Sequence, residues 1–446
     1  MHSTWEKSGN GEKHMTYFDE ATETLPREQL ATLQLKKLQA MLTELWDKNQ
    51  FYTRKWKAAG VQPSDIKSLD DLARLPLTKK GELMDDQAAH GPFGTNLTYP
   101  VEAYVRMHQT SGTTGVPLKV MDTNESWDWW GRCWGHVLAG AGVTSSDRLF
   151  MAFAFGPFIG FWAAVEGARK IGAVMIPGGG RDSQQRLELM REAGATALCC
   201  TPTYALRLAE VARDIGFDIS TIPMRATVHA GEPGANVPAT KQRIEAAWSA
   251  QCFDHAGASE VGAHSFECHK QPGGTHLIES EFIAEVINPL TGETVAPGQR
   301  GELVITNLGR WGFPVIRYRT GDLVQVNLDR CNCGRTSLRF EGGILGRADD
   351  MVTVRGVNVF PAGVENIIRK FTEVDEFRIT VNKVKQMDEM DIEVELCEGA
   401  DPEVVHEIAI RLDSMLAFRP RVHHVAHNTL PRFEMKAKRF HVKLDE

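Results

Sequence analysis

The chain is 446 residues long, more than one ordinary hydrophobic core accommodates, and the length predicts about two or three domains. With 42% hydrophobic and 24% charged residues it has the composition of a soluble globular protein, and its net charge of −8 argues against a nucleic-acid binder, which carries a basic excess on at least one domain. No apolar run approaches the roughly 18 to 20 residues of a membrane span, the opening "MHSTWEKSGNGEKHMTYF" lacks the apolar stretch of a secretory leader, and eight cysteines are too few for a disulfide scaffold of this size. A cytoplasmic enzyme is expected, with residues 1–15 a disordered tail.

Residues 27–60 repeat apolar positions at three- and four-residue spacing, which predicts an amphipathic helix pair ending at Gly60. From 126 to 250, helical stretches alternate with the short apolar runs "DRLFMAFA", "GAVMIP", "ATALCCTP" and "RATVHAG". Strands alternating with helices imply βαβ units and a mainly parallel sheet. From 281 to 327 the pattern changes to short strands joined by "PLTG" and "PGQRG", which predicts antiparallel pairing. The segment "GRADD" at 346–350 marks a boundary. The expected fold is α/β: an N-terminal domain over 16–347 with mixed, mainly parallel sheets, and a small C-terminal α+β domain over 348–446.

Five stretches carry chemistry. "TSGTTG" (110–115) follows a strand-like segment, and consecutive small residues let backbone N–H groups converge on phosphate oxygens. It lacks the spacing of a Walker A loop, and taken alone it reads equally well as a surface loop. "HAGEPG" (229–234) follows a strand. "DHAGASEVG" (254–262) sets Ser259 beside Glu260. "RYRTGD" (317–322) ends on Asp322, and "GRADDMVTVRGVNVFPAGVE" opens the small domain.

In this order the motifs resemble the adenylate-forming superfamily of acyl-CoA synthetases, luciferases and peptide-synthetase adenylation domains, and within it the phenylacetate–CoA ligase family of aryl-CoA ligases. The resemblance covers roughly residues 30–446. It implies that Ser111, Gly112, Thr113, Thr114 and Gly115 lie over the ATP β- and γ-phosphates. Gly231, Glu232 and Pro233 then line the adenine side, and Asp254, His255 and Ala256 also face the nucleotide. Ser259 touches the α-phosphate, Glu260 holds Mg²⁺, Asp322 binds the ribose hydroxyls, and Arg347 sits near ribose or phosphate. The small domain is mobile about a hinge at Asp349. "LPRFEMKAKRF" (430–440) resembles the terminal lysine segment of the family, with Met435 where glycine is usual, so that Lys436 aligns with the catalytic lysine; Lys438 takes that place if the alignment shifts by two. Ala256 replaces the aromatic residue of the usual motif, with His255 next to it. The acyl pocket falls on Phe155, Gly156, Phe158, Phe161, Ala256 and Gly257.

"RCNCGRT" and "FECHKQPGGTHLI" add Cys331, Cys333, Cys268 and His276. Three thiols and one imidazole make a closed, structural zinc site. The family resemblance selects His276, and His269 and His264 are the competing imidazoles.

The expected activity is ATP-dependent ligation of an aromatic acid (benzoate-like, phenylacetate-like or fused-ring) to CoA through an acyl-adenylate, with Mg²⁺ and a structural Zn²⁺. The expected partners are the acid, ATP and CoA, without nucleic acid or membrane, in a monomer or homodimer. Two alternatives stay open: an amide ligase that uses an amine in place of CoA, and a non-catalytic, zinc-stapled nucleotide-binding protein.

Overall fold

The computed structural model describes residues 17–110, 116–160, 162–327, 329–348, 352–354, 357–359, 361–384, 387–416, 418–433 and 437–443. The apolar spacing of 27–60 closes into helices Arg27–Leu45 and Gln50–Ala59. The second starts on Asn49, whose side chain accepts the Tyr52 N–H, and stops at Gly60 with φ 66°. A left-handed residue ends a helix cheaply when it has no Cβ.

The four apolar runs form strands Arg148–Met151, Val174–Pro177, Ala197–Cys200 and Ala226–His229, which pair in parallel with one another and with Gln251–Ala258. Parallel neighbours need long crossovers, and helices Trp162–Ile171, Ser183–Glu192, Pro202–Asp214 and Pro238–Trp248 carry them. Strand Gln251–Ala258 is the turning point, parallel to one neighbour and antiparallel to the next, Gly262–Glu267. From there a single sheet of 12 strands continues through Gly274–Leu277, Arg339–Glu341, Tyr318–Asn327, Arg300–Asn307 and Phe282–Ile287, all antiparallel. The antiparallel share is larger than the sequence pattern suggests, because the strands beyond 258 are joined by turns and loops instead of helices.

The C-terminal sheet is separate and has 4 strands. The hairpin Val374–Val384/Met387–Leu396 lies at its centre, flanked in parallel by Phe440–Lys443 and Arg421–Val425. It has its own core, which includes Phe377, Ile379, Ile392 and Leu412. Several polar contacts join it to the large body. The Arg432 side chain donates to the Glu210 carboxylate at 3.2 Å, Arg243 to the Val374 carbonyl at 3.0 Å, and Arg439 to the Thr203 hydroxyl at 3.2 Å. A cavity of about 420 Å³ opens between the two bodies, with Glu210, Arg213 and Arg243 on one wall and Asp375, Glu376 and Arg432 on the other. Among the described residues no helix is long and apolar enough to cross a membrane.

Candidate active site

The site is built where the large sheet changes sense. Ser259 and Glu260 occupy the turn between strands Gln251–Ala258 and Gly262–Glu267. The turn is tight: a Cβ on Gly257 would stand 2.7 Å from the Gly262 carbonyl oxygen, so a side chain there would force the strands apart. Glu260 is only 5% exposed. Its Oε1 accepts the Tyr318 hydroxyl at 2.9 Å and faces the Lys80 ammonium at 3.1 Å. A buried carboxylate requires a compensating cation and hydrogen bonds. Here Lys80, from the start of helix Lys80–Ala89, supplies the positive charge. An oxygen ligand in this setting fits a hard divalent cation.

Tyr318 and Asp322 share strand Tyr318–Asn327, and Asp322 stands opposite Arg347 in the ladder, paired with its guanidinium at 3.3 Å. Burial and the charge of Glu260 push the Tyr318 phenol well up, and Arg347 and Asp322 also act on it. Tyr318 therefore sits among all three charged candidates. Glu232, just past strand Ala226–His229, accepts the Thr203 N–H at 2.9 Å and the Ala437 N–H at 2.6 Å. One carboxylate thus ties the first turn of helix Pro202–Asp214 to the segment that follows Lys436. Gly231 beside it has φ 94°.

Asp254 and His255 are buried on strand Gln251–Ala258. Burial and the nearby Glu267 carboxylate push the Asp254 carboxyl up to about 7, against the Lys241 ammonium. A native carboxyl that holds its proton above its usual value near 3.8 contributes stability that is complete below that value and is lost as pH rises towards about 7. Asp254→Asn is therefore expected to flatten this decline: the fall in denaturant midpoint between pH 5 and pH 8 should be smaller in the variant, and an equal fall in both proteins would refute it. Burial pulls the His255 imidazole down to about 4, so the ring is neutral near pH 7, with Nδ1 2.7 Å from the Ser265 carbonyl oxygen. Its edge meets Trp134 at a centroid distance of 4.5 Å. Ala256 follows it on the strand.

Phe155 packs between Phe153 and Trp162, with centroids at 4.7 and 4.6 Å. The Trp162 indole N–H donates to the Gly156 carbonyl at 2.9 Å, which fixes the loop around the ring. Phe158 is 37% exposed, with Cδ2 3.9 Å from where a Cβ on Gly156 would stand. Ser111 to Gly115, Phe161, Asp349 and Lys436 lie outside the described residues; the first group joins strand Tyr104–Gln109 to its antiparallel partner Lys119–Thr123.

The four candidate metal ligands converge. One ligand atom from each of Cys268, His276, Cys331 and Cys333 lies within 4.8 Å of the others, and all four residues are buried. Cys268 and Cys331 Sγ are 3.6 Å apart, and Cys333 Sγ is 3.4 Å from His276 Nε2. Tetrahedral zinc with thiolate and imidazole ligands requires separations of about 3.5 to 3.8 Å. The Ser337 hydroxyl faces His276 Nδ1 at 3.2 Å and holds the ring. The Cys268 thiol and His276 bring the Cys333 thiol down to about 2, against burial, and a thiolate is the form that binds metal. His264 instead lies against Phe282.

Residues 49–309 match the family model "AMP-binding enzyme", and residues 356–443 match "AMP-binding enzyme C-terminal domain". The chain belongs to the AMP-binding enzyme family. Within this family it is 34% identical over 389 residues to the phenylacetate-coenzyme A ligase of Thermus thermophilus, covering 86% of each chain. It is also 34% identical over 428 residues to the phenylacetate-coenzyme A ligase of Escherichia coli, covering 94% of this chain and 95% of that one. Crystal structures of 2-hydroxyisobutyryl-CoA ligase match at 30% identity and TM-score 0.91 in the postadenylation state, covering 98% of this chain and 94% of that one. In the thioesterification state the TM-score is 0.74. This family member is an AMP-forming acyl-CoA ligase, and its two sheets are arranged as in the postadenylation state. The reading as a non-catalytic nucleotide-binding protein is thereby set aside. Among the described residues Lys80 and Tyr318 are the side chains that meet the Glu260 carboxylate; neither carries a sequence signal of its own, although Tyr318 lies inside "RYRTGD".

Proposed function

We propose that this ligase activates an aromatic carboxylic acid in two steps. A carboxylate oxygen attacks the α-phosphorus of ATP, the bond to pyrophosphate breaks, and acyl-AMP forms. The CoA thiol, having lost its proton, then attacks the acyl carbon, and AMP leaves with the bonding pair. Lys436 stabilises the charge that develops in the first step, where a positioned cation contributes most. Asp322 accepts the ribose hydroxyls, Arg347 steadies Asp322, Ser259 meets the α-phosphate, and residues 111–115 lie over the outgoing phosphates. Glu260 would hold Mg²⁺, which neutralises phosphate charge when bound.

The observation that supports this reading most is the Ala437 N–H on the Glu232 carboxylate, since it joins the residue after Lys436 to a residue assigned here to the adenine side. The second step requires that segment to leave, and we assign this to rotation of residues 348–446 against 16–347 about Asp349. Domain rotation is a known means of switching a site between two tasks. The aromatic substrate class is supported by the phenylacetate-coenzyme A ligases among the relatives and by the rings of Phe153, Phe155 and Trp162 around Gly156. Cys268, His276, Cys331 and Cys333 would hold a structural zinc, which leaves no position open for substrate. The composition suits a cytoplasmic enzyme.

The test is pyrophosphate release over arylacetic, benzoic, fused-ring and short 2-hydroxy acids, with and without CoA. Release that depends on an aromatic acid, with AMP and thioester appearing on addition of CoA, is expected. A preference for the short hydroxy acid would overturn the substrate class, and pyrophosphate release without thioester would favour the amide ligase.

A further inference from the structure

Arg310 and Asp122 form an ion pair with both side chains 0% exposed. The fork is bidentate: Arg310 Nε donates to Asp122 Oδ1 at 2.7 Å and Nη2 to Oδ2 at 2.8 Å. The remaining nitrogen, Nη1, donates to the carbonyl of Ser259 at 2.7 Å and to that of Glu260 at 3.1 Å. The rings of Trp130 and Phe313 cover the guanidinium at 5.2 and 5.6 Å. Stability alone does not call for such a pair, since burying two charges costs about as much as their attraction returns, and apolar residues of similar volume often do as well. What an apolar pair could not do is satisfy the two turn carbonyls, which need donors once they are removed from water.

The position of the pair gives it a task. Asp122 lies on strand Lys119–Thr123, which leaves residues 111–115. That strand is held in a ladder in which Arg106 stands opposite Asp122, and the next residue, Thr123, caps helix Asn124–Gly140 by accepting the Ser126 N–H at 3.2 Å. Asp122 is therefore on a rigid element. Ser259 and Glu260 sit on another element, 51 and 50 positions from Arg310, which itself lies 188 positions from Asp122. Arg310 is the group that bonds to both. A lysine could keep the charge but not the planar fork that reaches a carboxylate and a backbone turn at once.

We propose that Asp122 and Arg310 are positioning residues for adenylation: together they fix the Ser259–Glu260 turn relative to strand Lys119–Thr123 and helix Asn124–Gly140, and so set where Ser259 and Glu260 meet ATP and its metal ion. The inference rests on the reading above that Ser259 and Glu260 serve ATP and Mg²⁺.

The experiment compares Arg310→Lys, Asp122→Asn and Glu260→Gln with the unaltered enzyme by calorimetric ATP affinity with and without Mg²⁺, by pyrophosphate-exchange kinetics, and by thermal melting. A small displacement of a positioned group lowers rate by roughly ten- to a hundredfold. That loss is expected for exchange in both brace variants, with a higher Kd for ATP in Mg²⁺, a KM for the acid within about threefold of the unaltered enzyme, and a cooperative melt. Unchanged ATP affinity in both brace variants would sink the proposal. So would ATP affinity, acid KM and melting temperature all declining together, which describes a fold element, or failure of both variants to fold. Glu260→Gln separates the two readings. If it alters the Mg²⁺ dependence of ATP binding while the brace variants do not, the brace fails and the Glu260 assignment stands. If it leaves that dependence unaltered, the magnesium assignment fails, and the brace is judged on ATP affinity measured without metal.

Discussion

Replacing Lys436 by Ala should slow acyl-AMP formation by roughly 10²- to 10³-fold, the usual cost of removing one positioned electrostatic stabiliser. The second half-reaction, started from supplied acyl-AMP and CoA, should lose far less. The contrast follows from the geometry around Glu232. The Ala437 N–H, one residue past the lysine, is fixed on that carboxylate at 2.6 Å, and the same carboxylate is held by the Thr203 N–H at 2.9 Å. Arg439, two residues on, is anchored by Glu376 at 2.6 Å. The segment is thus pinned on both sides in the arrangement that matches the postadenylation state of a relative. Pyrophosphate exchange measures the first step, and thioester formation measures the second. Equal losses in both steps would remove the lysine from its assigned role, and a fully active variant would pass the role to Lys438.

The second large effect concerns the thiol cluster. Protein purified without chelator is expected to carry one zinc per chain, and Cys268→Ser or Cys333→Ser should lose it. Structural zinc in small peptides binds with about 10 to 16 kcal/mol at neutral pH, much of it folding energy. A fraction of that sum would lower the melting temperature by roughly 10 °C or more. Cys268 and His276 bracket a loop of the large sheet, while Cys331 and Cys333 belong to the connection between strands Tyr318–Asn327 and Arg339–Glu341. Without a metal these elements would be held by their ladder hydrogen bonds and by the core packing of Leu277, Val324 and Phe340. Elemental analysis that finds no metal, together with a Cys268→Ser melt that overlays the parent, would dismiss the zinc site.

Much of this was legible in the chain, for reasons tied to particular residues. The runs at 148, 174, 197 and 226 are short, apolar and bounded by Gly, Pro or polar turns; those at 197 and 226 are buried throughout, as central parallel strands are, while the one at 174 is the exposed edge strand. Gly60 marked a helix end because only a left-handed cap suits that position. Cys331 and Cys333 stood out because a C-x-C pair has the local spacing of candidate metal ligands, and the fold brings them to Cys268 and His276. The rest of the site could not be read in the same way. The bonds of Glu260 to Lys80 and Tyr318, and of Arg310 to Asp122, join single residues across the fold. A lone Lys or Asp on a strand or helix has no periodicity that betrays its partner, and the packing of a helix and of a separate two-stranded sheet against the large one decides who meets whom. The extent of antiparallel pairing was hidden similarly, because strand direction depends on the connections and not on the strand residues.

The boundary between the two sheets has a consequence for turnover. It is held by Glu210–Arg432, Arg243–Val374, Thr203–Arg439 and Glu232–Ala437, around a cavity of about 420 Å³. Each such hydrogen bond is worth about 0.5 to 1.5 kcal/mol net, somewhat more where an ion takes part, because water can replace either partner. These contacts can therefore be exchanged for water one at a time as the surfaces separate. Under the proposed rotation the joint would act as a clasp closed by a few exchangeable contacts, which the small domain, with its own core, would leave without unfolding.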